Sequence, residues 1–163
     1  MLTPDVLFAL WVAAAVGCGL IGGLLFAFSS FVMTALSRQP AECGIRTMQA
    51  INVAIINPLF LSVFLGTAVG SAALLVTALA QFASRGHMLL SAGAALYLLG
   101  PFGVTMTVNV PLNNALEALD GGSPEAARFW PAYVRRWTRW NHLRTVCALL
   151  ASVLLTVGAA SLI

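Results

Sequence analysis

The chain has 163 residues, of which 60% are apolar and only 8% charged. A water-soluble domain of this length carries about a quarter charged residues, so a soluble enzyme and a basic nucleic-acid-binding module are both excluded. All the basic residues are arginines, and they leave a net charge of +3.

Four apolar runs, at about 6–33, 57–82, 88–110 and 143–163, reach the roughly 20 residues needed to cross a bilayer core. They are continuously apolar rather than alternating. In hydrocarbon such runs must be helices, since every backbone group has to be paired within its own segment. The expected fold is all-α: a four-helix transmembrane bundle forming one domain over 1–163.

Thr3-Pro4-Asp5 opens the first helix with a capping hydroxyl, a proline at the first helical position and an acid. No arginine precedes Arg38, so the first run lacks the basic flank of a signal peptide and is expected to be a retained span. Helix one continues to about Ser37. Gly19 and Gly23 in it, and Gly66 and Gly70 in helix two, have the spacing that lets membrane helices touch backbone to backbone. Helix two is predicted from about Cys43 to Ala83, kinked at Asn57-Pro58. Helix three runs from about His87 to Leu119, interrupted at Gly100-Pro101. "DGGSPE" (120–125) then gives a turn and a fresh cap at Ser123, and helix four extends to the end with a bend at Pro131. Helices of roughly 32 to 40 residues measure ~48–60 Å at 1.5 Å per residue. The hydrocarbon core takes up ~30 Å, so the bundle must extend beyond the membrane on one side.

Arginine placement says which side. The loop between helices one and two carries Arg38 and Arg46. The connection into helix four carries Arg128, Arg135, Arg136, Arg139 and Arg144, while Arg85 stands alone at the opposite end. That bias predicts a bacterial inner-membrane protein with both termini outside and the helix extensions in the cytoplasm. Cys18, Cys43 and Cys147 offer no disulfide framework.

Measured from the outer end of each helix, Ser29, Ser30, Asn57, Asn109, Asn113, Asn141, His142 and Arg144 all fall ~28–38 Å in. They form one layer, with Gln49 and Asn52 a turn or two further. Polar groups at that depth face the bundle interior, which predicts a cavity. Trp137, Asn141, Arg144 and Ala148 share one helical stripe at i, i+4, i+7 and i+11. Asn109 and Asn113 share another, and both flank Pro111, whose freed backbone groups are their alternative use. His142 points about 100° away from Asn141. Trp130, Arg135, Arg136, Arg139 and Trp140 fit the aromatic belt and positive anchor of a span end.

"NVPLNNAL" (109–116) followed by "WTRWNHLRT" (137–145) resembles the anthrone oxygenase family of small four-helix membrane proteins, as do "GGLLFAFSSFVM" in helix one and "MQAINVAIINPLF" in helix two. The resemblance implies oxidation of an anthrone to an anthraquinone with molecular oxygen as co-substrate. Such chemistry needs a base at an acidic carbon and donors for the oxyanion that develops. His142 carries the imidazole that such a base would use, with Arg144 and Asn141 beside it as the catalytic set. Asn109, Asn113, Trp137, Asn57, Gln49 and Asn52 are the candidate substrate-binding residues.

No metal site is expected, because one nearby His and a distant Glu117 do not make a ligand set. His87 and His142 lie at opposite ends, which argues against a bis-His haem. The cofactor is otherwise open. The first functional reading is a small membrane oxygenase-like enzyme taking an apolar aromatic, anthrone- or quinone-like substrate from the lipid. The alternative is a non-enzymatic binding or accessory protein holding a lipid, a quinone or a partner helix. A transporter ranks third, since no acid lies inside a span. Expected partners are membrane lipids and the small substrate, with a homo-oligomer compatible and no nucleic acid.

Overall fold

The computed structural model describes residues 3–80 and 84–162. The expected ends of helix two at 81–83 and of helix four at Ile163 lie outside the described residues. The elements in chain order are α1 (Pro4–Ala27), a π-helical segment π1 (Phe28–Val32), α2 (Met33–Ser37), α3 (Ala41–Ala54), α4 (Pro58–Leu79), α5 (Arg85–Tyr97), a second π-helical segment π2 (Leu98–Asn109), α6 (Val110–Glu117) and α7 (Pro124–Ala160). No strand occurs among the described residues. Four continuous helices are long and apolar enough to cross a membrane: Asp5–Ser37, Pro58–Leu79, Arg85–Glu117 and Pro124–Ala160. Large apolar side chains such as Val16, Leu20, Phe31, Val69, Leu99 and Val153 stand exposed around the bundle. That is the surface of a multi-pass membrane protein.

The caps explain the starts. Thr3, Asn57, Ser84 and Ser123 are N-caps whose side chains accept a backbone N–H three residues on, at about 1 kcal/mol each. The sequence expectation of one kinked helix two is corrected here. The chain leaves the helix at Ile55 and restarts at Pro58 as a separate helix, because Asn57-Pro58 is a helix start rather than a kink. Helix one, by contrast, is continuous, with π1 inserted in it. Helix three widens into π2 around Pro101, and α7 passes through Pro131 without interruption.

The predicted glycine contacts are also corrected. A Cβ at Gly23, Gly66 or Gly70 would meet nothing within 4 Å, and one at Gly19 would meet only Ser152 Oγ at 3.4 Å. Close approach occurs instead between α5 and α7. A Cβ at Gly158 would lie 3.0 Å from the Leu90 N and 3.1 Å from the Gly86 O, and one at Gly93 would lie 3.1 Å from the Ala151 O. Helix pairs use whichever glycine faces the seam, and spacing alone does not say which does.

Two apolar cores result. One, around Cys18, Leu90, Ala94, Ala151 and Leu155, joins α1, α4, α5 and α7. The other, around Met33, Ile45, Met48, Leu116, Trp130 and Tyr133, lies toward the arginine-rich end. There Arg46 pairs with Glu42 at 2.9 Å and Asp120 at 3.3 Å on the surface, and the Glu42 contact raises the Arg46 pKa above its ordinary value. The Gln49 amide donates to the Leu116 and Leu119 carbonyls at 3.0 and 2.9 Å, capping α6. The two Arg-bearing connections therefore meet at one end. Between the two cores, in chain position on α1–α2, π2 and α7 alike, lie the polar residues.

Candidate functional site

The stripe predicted on α7 is real. Trp137, Asn141, Arg144 and Ala148 are 5%, 0%, 5% and 0% exposed, while Arg135, Arg136, Arg139 and His142 are exposed. Arg144 donates from Nη1 to the Thr105 hydroxyl at 2.9 Å and from Nη2 to Asn141 Oδ1 at 2.6 Å. Asn141 in turn donates from Nδ2 to the Leu25 carbonyl at 2.8 Å and to Ser29 Oγ at 2.7 Å. This fixes its amide, since the Leu25 carbonyl requires a donor and the guanidinium requires an acceptor. The Thr145 hydroxyl donates to the Asn141 carbonyl at 2.8 Å. Its only proton is thus used, so Ser29 is the donor in their 3.1 Å contact.

Two of these partners come from the π segments. In π1 the Met33 N–H reaches back to the Phe28 carbonyl, and in π2 the Val110 N–H reaches the Thr105 carbonyl. These are the i→i+5 bonds of a π-helix, a conformation frequent at functional sites. Ser29 sits in π1; Thr105 and Asn109 sit in π2. Pro101 has no N–H to give and would clash within an α-helix. The Thr105 hydroxyl donates to the Pro101 carbonyl, which leaves its lone pairs for Arg144.

A second tier lies one turn toward the arginine-rich end. Asn113 Oδ1 accepts from both the Tyr133 hydroxyl, at 3.0 Å, and Trp137 Nε1, at 2.9 Å. Asn109 Nδ2 donates to the Trp137 carbonyl at 3.4 Å. Both asparagines therefore reach α7 rather than mending the backbone around Pro111. The Trp137 ring lies between Phe28, 5.6 Å between centroids, and the Arg144 guanidinium, 5.1 Å from the ring centre.

Arg144 is left without an anion. The ion pairs among the described residues are the two of Arg46. Arg144 has only neutral partners, and its Nε has none. Asn109 Oδ1 and Asn52 Nδ2 are likewise buried without a partner. Burying a cation costs several kcal/mol even after relaxation, and a counter-ion normally offsets that cost. Here the Trp137 face and two neutral acceptors do so in part. What remains is a positive potential fixed in a buried site, with donors to spare.

Several sequence assignments are corrected. His142, expected as the base, is exposed and lines a surface groove with Met33, Arg135 and Arg139, because it lies about 100° round the helix from Asn141. Asn57 uses both ends of its side chain on the cap, accepting from the Phe60 N–H at 3.0 Å and donating to the Ala54 carbonyl at 2.9 Å. Gln49 is engaged at the end of α6, and the half-buried Asn52 has its Nδ2 buried without a partner. Arg144 meets Thr105 and Asn141, not Asn109 or Asn113. Trp130 is no interfacial anchor: it is 4% exposed and stacked on Tyr133 at 5.5 Å. Thr105, Tyr133 and Thr145 join the cluster in addition to the residues singled out from the sequence. Tyr133 continues the stripe one turn back from Trp137, a signal that was present. Among the described residues no three His, Cys, Asp or Glu side chains gather as metal ligands would.

A family model described as anthrone oxygenase matches residues 60–154, over half the chain. The chain belongs to the anthrone oxygenase family. The match takes in α4 through most of α7, including Thr105, Asn109, Asn113, Tyr133, Trp137, Asn141 and Arg144. The segments of helices one and two that resemble the family precede Phe60 and fall outside it. Neither a curated protein nor a solved structure matches the chain.

Proposed function

We propose that the protein is a membrane oxygenase acting on an apolar aromatic substrate of anthrone or quinone-precursor type, with Arg144 holding the enolate oxygen. The supporting observation is the buried guanidinium whose partners are all neutral. Loss of a proton from the acidic methylene of an anthrone gives an enolate whose charge rests on oxygen. Arg144, held by Thr105 and Asn141 and backed by the Trp137 ring, stabilises that charge where low polarity strengthens the interaction. The enolate carbon then bonds to molecular oxygen. Loss of water from the resulting hydroperoxide leaves the second carbonyl. One oxygen atom enters the product, the other departs in water with the two methylene hydrogens, and no further reductant is needed.

The buried cluster offers no carboxylate or imidazole, so the proton passes to solvent at the arginine-rich end. That same lack of a base favours the second reading, a non-enzymatic binder of a quinone or lipid. The seven-to-one arginine bias supports a bacterial inner-membrane location with both termini outside and the site near the cytoplasmic face. A reporter fused after Ile163 is then expected to be active only outside the cytoplasm. Surrounding lipids and the apolar substrate are the proposed partners.

The test is quinone formation and oxygen uptake from 1,8-dihydroxyanthrone by the full chain in lipid nanodiscs, corrected for spontaneous oxidation. Turnover abolished by Arg144→Gln supports the enzyme. Tight anaerobic binding with no rate above background assigns the site to the binder.

A further inference from the structure

A groove of about 350 Å³ runs between α2 and α7 on the side of α7 facing away from Asn141. Its walls include the apolar Met33 and Val134 together with Arg135, Thr138, Arg139 and His142. Arg135, Arg139 and His142 lie at i, i+4 and i+7, one stripe ~10 Å long. All three are exposed. No carboxylate lines the groove, and the Thr138 hydroxyl in its wall is buried without a hydrogen-bond partner.

The groove's height in the bundle is set by its neighbours. On α7 no large apolar side chain is exposed before Leu143, after which Leu143, Val146, Leu149, Leu150, Val153 and Val157 all are. On helix one the last such residue is Phe31, two residues before Met33. The groove therefore sits at the height where the lipid-facing surface ends, and its basic stripe on α7 runs on into that surface as the exposed Val146, Leu149 and Val153. At that depth an acyl chain turns into a headgroup, and basic pockets at helix ends suit anionic lipids.

We propose that this groove is a specific site for an anionic phospholipid, with Arg135 and Arg139 on its phosphate and the Thr138 hydroxyl as a further donor. The acyl chain would continue down the same α7 face, along the exposed Val146 and Leu149, which extend the stripe of Arg135, Arg139 and His142. Arg135 and Arg139 would then act as more than general positive anchors, and the site is independent of the Arg144 chemistry.

The test uses the full chain, purified in detergent and delipidated, with phosphatidylglycerol, phosphatidylcholine or inorganic phosphate added separately. Phosphatidylglycerol is expected to raise the unfolding midpoint by about 3–5 °C at tenfold excess over its Kd and to remain bound in native mass spectra. Phosphatidylcholine and phosphate should do neither. Arg135→Gln/Arg139→Gln should lose the response, Arg135→Lys/Arg139→Lys should keep most of it, and Arg128→Gln/Arg136→Gln should keep all of it. An equal response to phosphatidylcholine, a response to free phosphate of the same size, or an undiminished response in the double glutamine variant would overturn the proposal.

Discussion

Along residues 136–145, Arg136 and Arg139 stand in the open while Arg144, on the same helix, is 5% exposed and clasped by Thr105 and Asn141. The residue type is identical and the physics differs. Two unit charges 4 Å apart interact by about 1 kcal/mol in water and about 4 kcal/mol at the effective polarity of a protein site. An exposed arginine therefore contributes orientation and surface attraction. A buried one without a carboxylate keeps its potential for a ligand.

Removing the buried charge should break the comparison most strongly. Arg144→Met is expected to lower turnover by ~10²–10³-fold, the range for losing a preorganised oxyanion donor. Its unfolding midpoint should move little, because relief of an unpaired buried cation offsets two lost hydrogen bonds. Rates and thermal unfolding of the same preparation check both halves. Asn141→Asp sharpens the point by placing a carboxylate where Oδ1 now lies 2.6 Å from the guanidinium, while its second oxygen replaces the donor to the Leu25 carbonyl and should lower the unfolding midpoint. With its potential neutralised internally, Arg144 should support turnover about tenfold slower, or ~1.4 kcal/mol in barrier, in a protein that still inserts.

How far these faces were legible beforehand differs by element. The α7 stripe follows from the 3.6-residue period, which held because α7 is a regular helix through Pro131. Thr105 continues the Asn109 and Asn113 stripe one turn back, at i−4 from Asn109, and all three reach α7. A threonine in an apolar run gives no sign of its partner, which is set by how π2 packs on α7. Depth alone puts Asn57 in the polar layer, although Asn before Pro is a strong helix-start signal. The imidazole of His142 suggests a base, but its helical angle turns it about 100° away from Asn141. The seam glycines depend on how α5 and α7 cross, and that crossing is a tertiary fact.

A change far from both faces separates stability from function. Gly158→Val drives its side chain into the Leu90 and Gly86 backbone and should cost about 1–3 kcal/mol, read as a lower unfolding midpoint, with turnover per folded molecule unchanged. The smallest effect belongs to the open face. Arg136→Ala should alter stability by no more than about 0.5 kcal/mol and leave turnover at the wild-type value, measured in the same nanodisc assay.

The most direct test of the Arg144 assignment is the absorption spectrum of 1,8-dihydroxyanthrone bound without oxygen at neutral pH. An aromatic enolate absorbs at longer wavelength than its neutral parent, so the spectrum shows which form the site selects. With the wild-type protein the long-wavelength band should appear on binding, and with Arg144→Met it should be absent. A neutral bound form in the wild type, or the same band in the variant, would contradict the assignment of Arg144 as the group that holds the oxyanion.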